Sequence, residues 1–287
     1  MSYIDEQLKE FKNLIDQAIL EGGTEGKNKM IKSSRPINLI HDAVKKELIK
    51  QKVEPTLICP RLGETKPEIR IAGHIKEKKQ DVCVMPRNIE KKRMSIDWGP
   101  LAYLSNDDEY GYEYSNNILV INVRSQISSL AKNFDTLFER TIAEAQNLHI
   151  RYPNMVLGEV YLIPVYEYDN EEAKEKKVKF KKKQVNLEKY ISFFSAINGR
   201  TLSTKKDLEG ELANTKNAHL YERCALLIVD FSKKKPKLYT SSADLKKDGL
   251  ISSNFPIEYA ELGFASFAKD IVTIYAERFD EHNIINE

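Results

Sequence analysis

Hydrophobic and polar positions change their period several times along the chain, and each change predicts an element. Ile4, Leu8, Phe11, Leu14, Ile15, Ala18 and Ile19 recur at helical spacing and predict an amphipathic first helix. Gly22-Gly23 is expected to end it, and the polar, basic residues 24–35 read as a loop. Pro36 suits the first turn of a second helix, carried by Leu39, Ile40, Ala43, Val44, Leu48 and Ile49 to about Lys50. The period then shortens to two. Leu57-Ile58-Cys59 reads as a short strand, Ile69, Ile71, Gly73 and Ile75 as one face of a half-exposed strand, and residues 76–80 as a charged turn. Asp81 opens the apolar run Val82-Cys83-Val84-Met85, and Asp97 stands before Trp98-Gly99-Pro100, which reads as a turn. The acidic, aromatic residues 105–115 read as a surface turn or hairpin tip.

The centre of the chain is residues 116–149. Ile118-Leu119-Val120-Ile121 predicts a buried strand. Its continuation turns polar at once, and alternation puts Asn122, Arg124 and Gln126 on one face. A small-residue loop leads to a helix starting near Asn133 or Phe134, whose apolar face is Phe134, Leu137, Phe138, Ile142, Ala145 and Leu148. Residues 155–165 form a second apolar strand, and the order strand, helix, strand argues for a βαβ unit. Residues 169–183 are a charge run, read as a solvated loop or a nucleic-acid-facing one. A short helix over 187–197, a polar stretch over 201–217, a strand over 225–229, a basic turn at 233–237, a loop over 250–255 and a final helix over 257–279 complete the chain. The fold class expected is α/β, a central mixed sheet flanked by helices. A single domain is expected over residues 1–287, with a core at about 37–168 and the C-terminal part, 184–287, packed on it.

Composition bounds this picture. A chain of 287 residues with 41% hydrophobic and 31% charged positions can bury a sizeable core. The net charge of +2 does not announce a nucleic-acid partner, but the basic residues are clustered and local fields matter more than the sum. Cys59, Cys83 and Cys224 lack metal-ligand spacing and read as reduced thiols. No apolar run approaches membrane-spanning length and the N-terminus has no signal-peptide core, so no membrane role and a cytoplasmic location are expected.

The sequence has no phosphate-binding loop, Rossmann glycine fingerprint, nucleophile elbow or metal-spaced His pair. What remains is Asp81 or Asp97 beside the polar row Asn122, Arg124 and Gln126, with Glu139 and Glu144 on the following helix. Glu139 neighbours the apolar face of that helix, whereas Glu144 lies elsewhere on it. Phosphodiester hydrolysis needs a divalent cation on hard oxygen ligands and a cation near the scissile phosphate, which two adjacent strands can present side by side.

The stretch ILVINVRSQISSLAKNFDTLFERTIAEAQNLH, preceded by QDVCVMP, resembles the PD-(D/E)xK nuclease superfamily, as in type II restriction endonucleases, over roughly residues 69–165. The departure is that Asn122 stands where the family has its second acid and Arg124 where it has Lys. The resemblance implies a restriction-endonuclease-like core and a Mg²⁺-dependent, sequence-specific double-stranded DNA endonuclease acting as a homodimer. Asp81 and Asn122 would hold the metal, with Asp97 as the alternative first acid. Glu139 or Glu144, or less directly Glu113, would replace the missing carboxylate. Arg124 would contact the scissile phosphate and Gln126 the backbone. Lys32, Ser34, Arg35, Arg87, Lys91, Lys92, Arg93, Ser125, Ser128, Lys132 and Asn133 would bind DNA, together with the basic residues of 174–183. The alternative is a catalytically degenerate DNA-binding subunit of a nuclease assembly.

Overall fold

The computed structural model describes residues 2–104, 106–201 and 217–286; Ser105 and most of the polar stretch 201–217 lie outside the described residues. The chain begins with α1 (Tyr3–Lys32) and α2 (Arg35–Lys50), then runs through β1 (Ile58–Cys59), β2 (Ile69–Ala72), β3 (Glu77–Gln80) and β4 (Val82–Val84). A small lobe follows, with β5 (Met94–Ser95), β6 (Asp107–Asp108) and α3 (Tyr112–Asn116). Next come β7 (Leu119–Ser125), α4 (Phe134–His149), β8 (Val156–Pro164), α5 (Asn170–Lys174) and α6 (Leu187–Ile197). The last elements are β9 (Arg223–Asp230), β10 (Lys237–Leu238), α7 (Ser242–Lys247) and α8 (Phe264–Arg278).

The architecture is α/β, as the sequence pattern implies. A six-stranded mixed sheet has the order β1-β4-β7-β8-β9-β10. β7, β8 and β9 are parallel, and the pairs β1/β4, β4/β7 and β9/β10 are antiparallel. Every residue of β8 and β9 is buried, the pattern of strands covered on both faces. One face packs Val120, Leu157, Tyr161 and Leu226 under Leu137 and Leu148 of α4 and Tyr190 and Phe194 of α6. The other packs Ile121, Val160 and Leu227 under Phe11 of α1, Val44 of α2 and Phe267 and Ile271 of α8. The C-terminal part is continuous with this sheet, since β9 lies beside β8.

Five local expectations are corrected. Gly22-Gly23 does not end the first helix: Gly23 breaks it at φ 59°, ψ −143°, and helix resumes to Lys32. Residues 24–32 are helical because α5 holds them: Thr24 Oγ1 donates to Asn170 O at 3.0 Å, and the buried Lys27 ammonium donates to Asn170 Oδ1. A side chain at Gly23 would meet Ala173 O at 3.0 Å, so the kink is a close approach as well as a left-handed position. Residues 77–80 are not a charged turn but β3, paired with β2 in a hairpin outside the main sheet. In 105–115, Asp108 and Ser115 are buried: Asp108 Oδ1 accepts from Gly111 N at 3.1 Å and from the Ser115 hydroxyl at 3.3 Å, and Asp108 Oδ2 accepts from the Tyr152 hydroxyl at 2.6 Å. The final helix starts at Phe264, after a 3-10 turn at Tyr259–Leu262 capped by Glu258.

A second constraint on the fold is Glu222, fully buried just before β9. Its carboxylate accepts from Leu157 N at 2.7 Å, Arg200 Nη1 at 2.8 Å and Arg278 Nη1 at 2.9 Å, and lies 3.4 Å from His149 Nε2. Burial opposes its charge, yet His149, Arg278 and Arg200 hold the acid well below the usual carboxylate range. The cluster ties together the end of α4, the starts of β8 and β9, and the end of α8. Glu222→Ala is expected to lower stability by about 3–5 kcal/mol, because it leaves buried arginines without their carboxylate. Urea unfolding followed by circular dichroism checks this, and a loss below about 1 kcal/mol would show the cluster to be dispensable.

Candidate active site

The register of the sheet assembles a polar row in its centre. Val82 pairs with Ile121 and Cys83 with Val120, so Asp81, the residue before β4, stands opposite Asn122. Asn122 is in turn in register with Glu159 of β8, and Glu159 with Cys224 of β9. Asp81 Oδ2 accepts from Val123 N at 2.9 Å, extending the β4/β7 pairing by one side chain. Asn122 and Glu159 are buried, at 1% and 0% exposure.

Arg124, one strand repeat beyond Asn122, reaches back over this row. Its Nη1 lies 3.1 Å from Glu159 Oε1, and its Nη2 pairs with Glu144 Oε2. Lys78 of β3 pairs with the other oxygen of Glu144, so this helix carboxylate is held between two cations. Thr141, one turn earlier on α4, accepts from Arg124 Nη1 at 3.4 Å. Gln126 accepts from the Tyr161 hydroxyl at 3.1 Å and donates to Ser129 O at 3.3 Å, closing the loop that follows β7.

Glu159 is the group least compensated by this arrangement. Neither of its oxygens meets hydrogen-bond geometry, and the Asn122 amide lies against it and Tyr221 without doing so either. Burial pushes the Glu159 carboxyl up to about 7; Arg124 opposes the shift and Asp81 adds to it. Burial is the largest influence and works against the charge of Arg124, but Glu159, Tyr221, Asp81 and Tyr161 together outweigh it and the guanidinium is held charged.

The predicted residues separate into two groups. Asp81, Asn122, Arg124 and Gln126 come together on adjacent strands. The helix acid that joins them is Glu144, buried at 5%, and Glu139 is exposed; the expectation for these two is reversed, because α4 turns its 141/144/148 side toward the sheet. Asp97 is exposed in the lobe between β5 and β6, and Glu113 is exposed on α3. Among the proposed DNA contacts, Lys32, Ser34, Arg35, Lys92, Lys132 and Asn133 are exposed, and Ser125 and Ser128 are half-buried. Arg87 is engaged at the C-terminus, donating to Ile285 O at 3.3 Å and Asn286 Oδ1 at 3.2 Å. Arg93 pairs with Asp107 at 2.7 Å, and Lys91 lies over the rings of Tyr110 and Tyr114. In the 174–183 run, Lys174, Lys179 and Lys181 pair with Glu171, Glu172 and Glu167.

Sequence reasoning missed Glu159 and Lys78. Glu159 carried a signal, since it is the only ionisable side chain in the apolar run 155–165 apart from the Tyr161 phenol, and a lone acid in a buried strand marks a functional candidate. Lys78 carried none, because only the packing of the β2–β3 hairpin brings it to Glu144.

Comparison of the chain with protein-family models, with curated proteins and with solved structures gives no match. The functional reading therefore rests on the residues themselves.

The Glu159 pKa lies above the usual 4.5, so its contribution to stability is full below that value and is lost as pH rises through about 7. Glu159→Gln is expected to remove this dependence. Relative to the variant, the wild type should lose about 2–3 kcal/mol between pH 5 and pH 8, measured by urea unfolding at both values. A difference that is flat with pH would mean that Glu159 titrates normally.

Proposed function

We propose that the chain is a divalent-metal-dependent, double-strand DNA endonuclease of the restriction type, similar to PD-(D/E)xK nucleases, in which Glu159 supplies the carboxylate that Asn122 does not. The observation that carries this reading is the row Asp81, Asn122 and Glu159 on three neighbouring strands, with Arg124 reaching over it. A carboxylate buried without hydrogen bonds and shifted upward is one whose single cationic neighbour, Arg124, does not compensate its burial. Among the described residues no three His, Cys, Asp or Glu gather to hold a metal; in this reading the donors would be the Asp81 and Glu159 carboxylates and the Asn122 amide oxygen. That hard-oxygen set is of the kind Mg²⁺ takes, and with Asn122 and Glu159 buried the ion would enter from the half-buried Asp81.

Asp81, Asn122 and Glu159 would hold the ion, which supplies Lewis-acid polarisation of a phosphoryl oxygen and a more acidic bound water. Arg124 and Lys78 place two positive charges beside the row, where charge builds on the phosphorus oxygens during hydrolysis. Glu144 acts through them as a positioning residue, fixing both side chains. Cutting both strands calls for two such sites, so a homodimer belongs to the reading, as does a cytoplasmic location; no described helix is long and apolar enough to cross a membrane. One observation favours a second reading, that of a non-cutting DNA-binding subunit: both ends of the Arg124 fork are already engaged by Glu144 and Glu159.

Plasmid and unmodified genomic DNA digested with and without Mg²⁺ separates these readings. Wild type is expected to cut only with the metal. Asp81→Ala and the near-isosteric Glu159→Gln should each lose at least about 10³-fold in rate, the scale of removing a group that acts in the transition state. Lys247→Ala, on the exposed end of α7, should cut normally. DNA binding without cutting in any metal supports the second reading, and salt-independent absence of binding sinks both.

A further inference from the structure

We propose that the cleft outside the carboxyl ends of β7 and β8 is a binding site for the phosphate of a nucleotide, either free or as a unit of a strand. In naming a nucleotide the inference rests on the nuclease reading; the phosphate itself is argued from the cleft. β7 ends at Ser125 and β8 at Pro164, and beyond them the chain opens a cavity of about 860 Å³ between the start of α4, the start of α6 and residues 249–252. This is where open α/β sheets place their ligands, and the volume lies within the range of small-molecule sites.

The cleft is lined by three lysines and two glutamates, a net charge of +1. Its two carboxylates are both occupied: Glu167 accepts from Leu130 N at 2.9 Å and pairs with Lys181 at 2.5 Å, and Glu188 accepts from Ser252 N at 2.6 Å. Lys183 and Lys189 have no carboxylate partner among the described residues, and the Lys189 ammonium lies 3.7 Å from the centre of the Phe134 ring. The first turn of α6 faces the same space. Asn186 Oδ1 accepts from Lys189 N at 3.3 Å, and the N–H groups of Leu187 and Glu188 have no intrahelical partner. Two ammonium groups without a paired carboxylate, in a lining of net charge +1 beside an aromatic and aliphatic floor, fit an anion carried on a planar body, the chemistry of a nucleotide. The cleft also shares a wall with the catalytic row. The loop that Gln126 closes runs on to Leu130, whose carbonyl accepts from the Tyr190 hydroxyl at 3.0 Å.

Calorimetric titration without metal tests the inference, using thymidine 5′-monophosphate, a short oligothymidylate, thymidine and inorganic phosphate as probes. Thymidine monophosphate should bind the wild type and weaken by about tenfold in each of Lys183→Glu and Lys189→Glu, both exposed positions whose replacement leaves the fold intact. Thymidine should bind at least about tenfold more weakly than its monophosphate. Equal affinity for the monophosphate and the oligomer assigns a free nucleotide, and tighter oligomer binding assigns a strand. Absence of monophosphate binding, binding unchanged in both lysine variants, or inorganic phosphate binding as tightly as the monophosphate overturns the proposal. Lys247→Ala should bind thymidine monophosphate like the wild type, and because this titration uses neither metal nor cutting, a failure of the nuclease reading in plasmid digestion and a failure of the cleft are read separately.

Discussion

The central constraint in this molecule is a carboxylate and a guanidinium buried together in the middle of a sheet. A buried ion pair is favourable only when geometry and further hydrogen bonds compensate its desolvation. Between Glu159 and Arg124 they do so for the arginine and not for the glutamate. Arg124 also meets Glu144, and through it Lys78, whereas Glu159 has only Arg124 at 3.1 Å and an amide that falls short of bonding. The strands around them are apolar and covered on both faces, so this imbalance is not relieved by water.

Glu222 provides the internal comparison. It too is fully buried, at the neighbouring strand, but it accepts from a backbone amide and two arginines, and its acid is held low. Two buried glutamates in one sheet are thus treated in opposite ways. One is saturated with donors and joins four elements of the fold. The other is left short of positive charge and raised in pKa. The same contrast separates the surface lysines. Those of 174–181 are largely paired with neighbouring carboxylates, while Lys183 and Lys189 turn unpaired charge into the cleft above β7 and β8.

Asn122 and Arg124, the positions at which the proposed nuclease reading departs from its pattern, are connected by the sheet. A second acid at 122 would stand between Asp81 and Glu159, and three adjacent carboxylates in a dry core repel one another. In the proposed reading an amide at that position lets the acid sit one strand further on. An arginine at 124 is long and forked enough to reach both that acid and Glu144, which a lysine point charge could not bridge in the same way.

Much of the fold was legible in the sequence because local pattern and tertiary burial agree there. The run 118–121 and the strand 155–165 bury what their periodicity says they bury, and the helix after Asn133 does so at Phe134, Leu137, Ala145 and Leu148 but leaves Phe138 45% exposed; the order of these elements implied the parallel β7–α4–β8 crossover. Asp81, Asn122, Arg124 and Gln126 were legible as candidates for the same reason, since alternation fixes which side chains share a face. Elements whose state depends on distant partners were not legible. Residues 24–32 look like a loop until α5 supplies Asn170, and 77–80 look like a turn until β2 supplies a ladder. The choice of acid belongs to this second class. By itself the sequence determined that a polar row would end a buried strand ahead of a long helix. Only the tertiary structure decided that Glu144 and not Glu139 faces it, that Lys78 arrives from a hairpin 44 residues before Asn122, and that Glu159 completes the row. The physical reason is that strand register and the rotation of a helix about its axis are set by packing against the rest of the molecule.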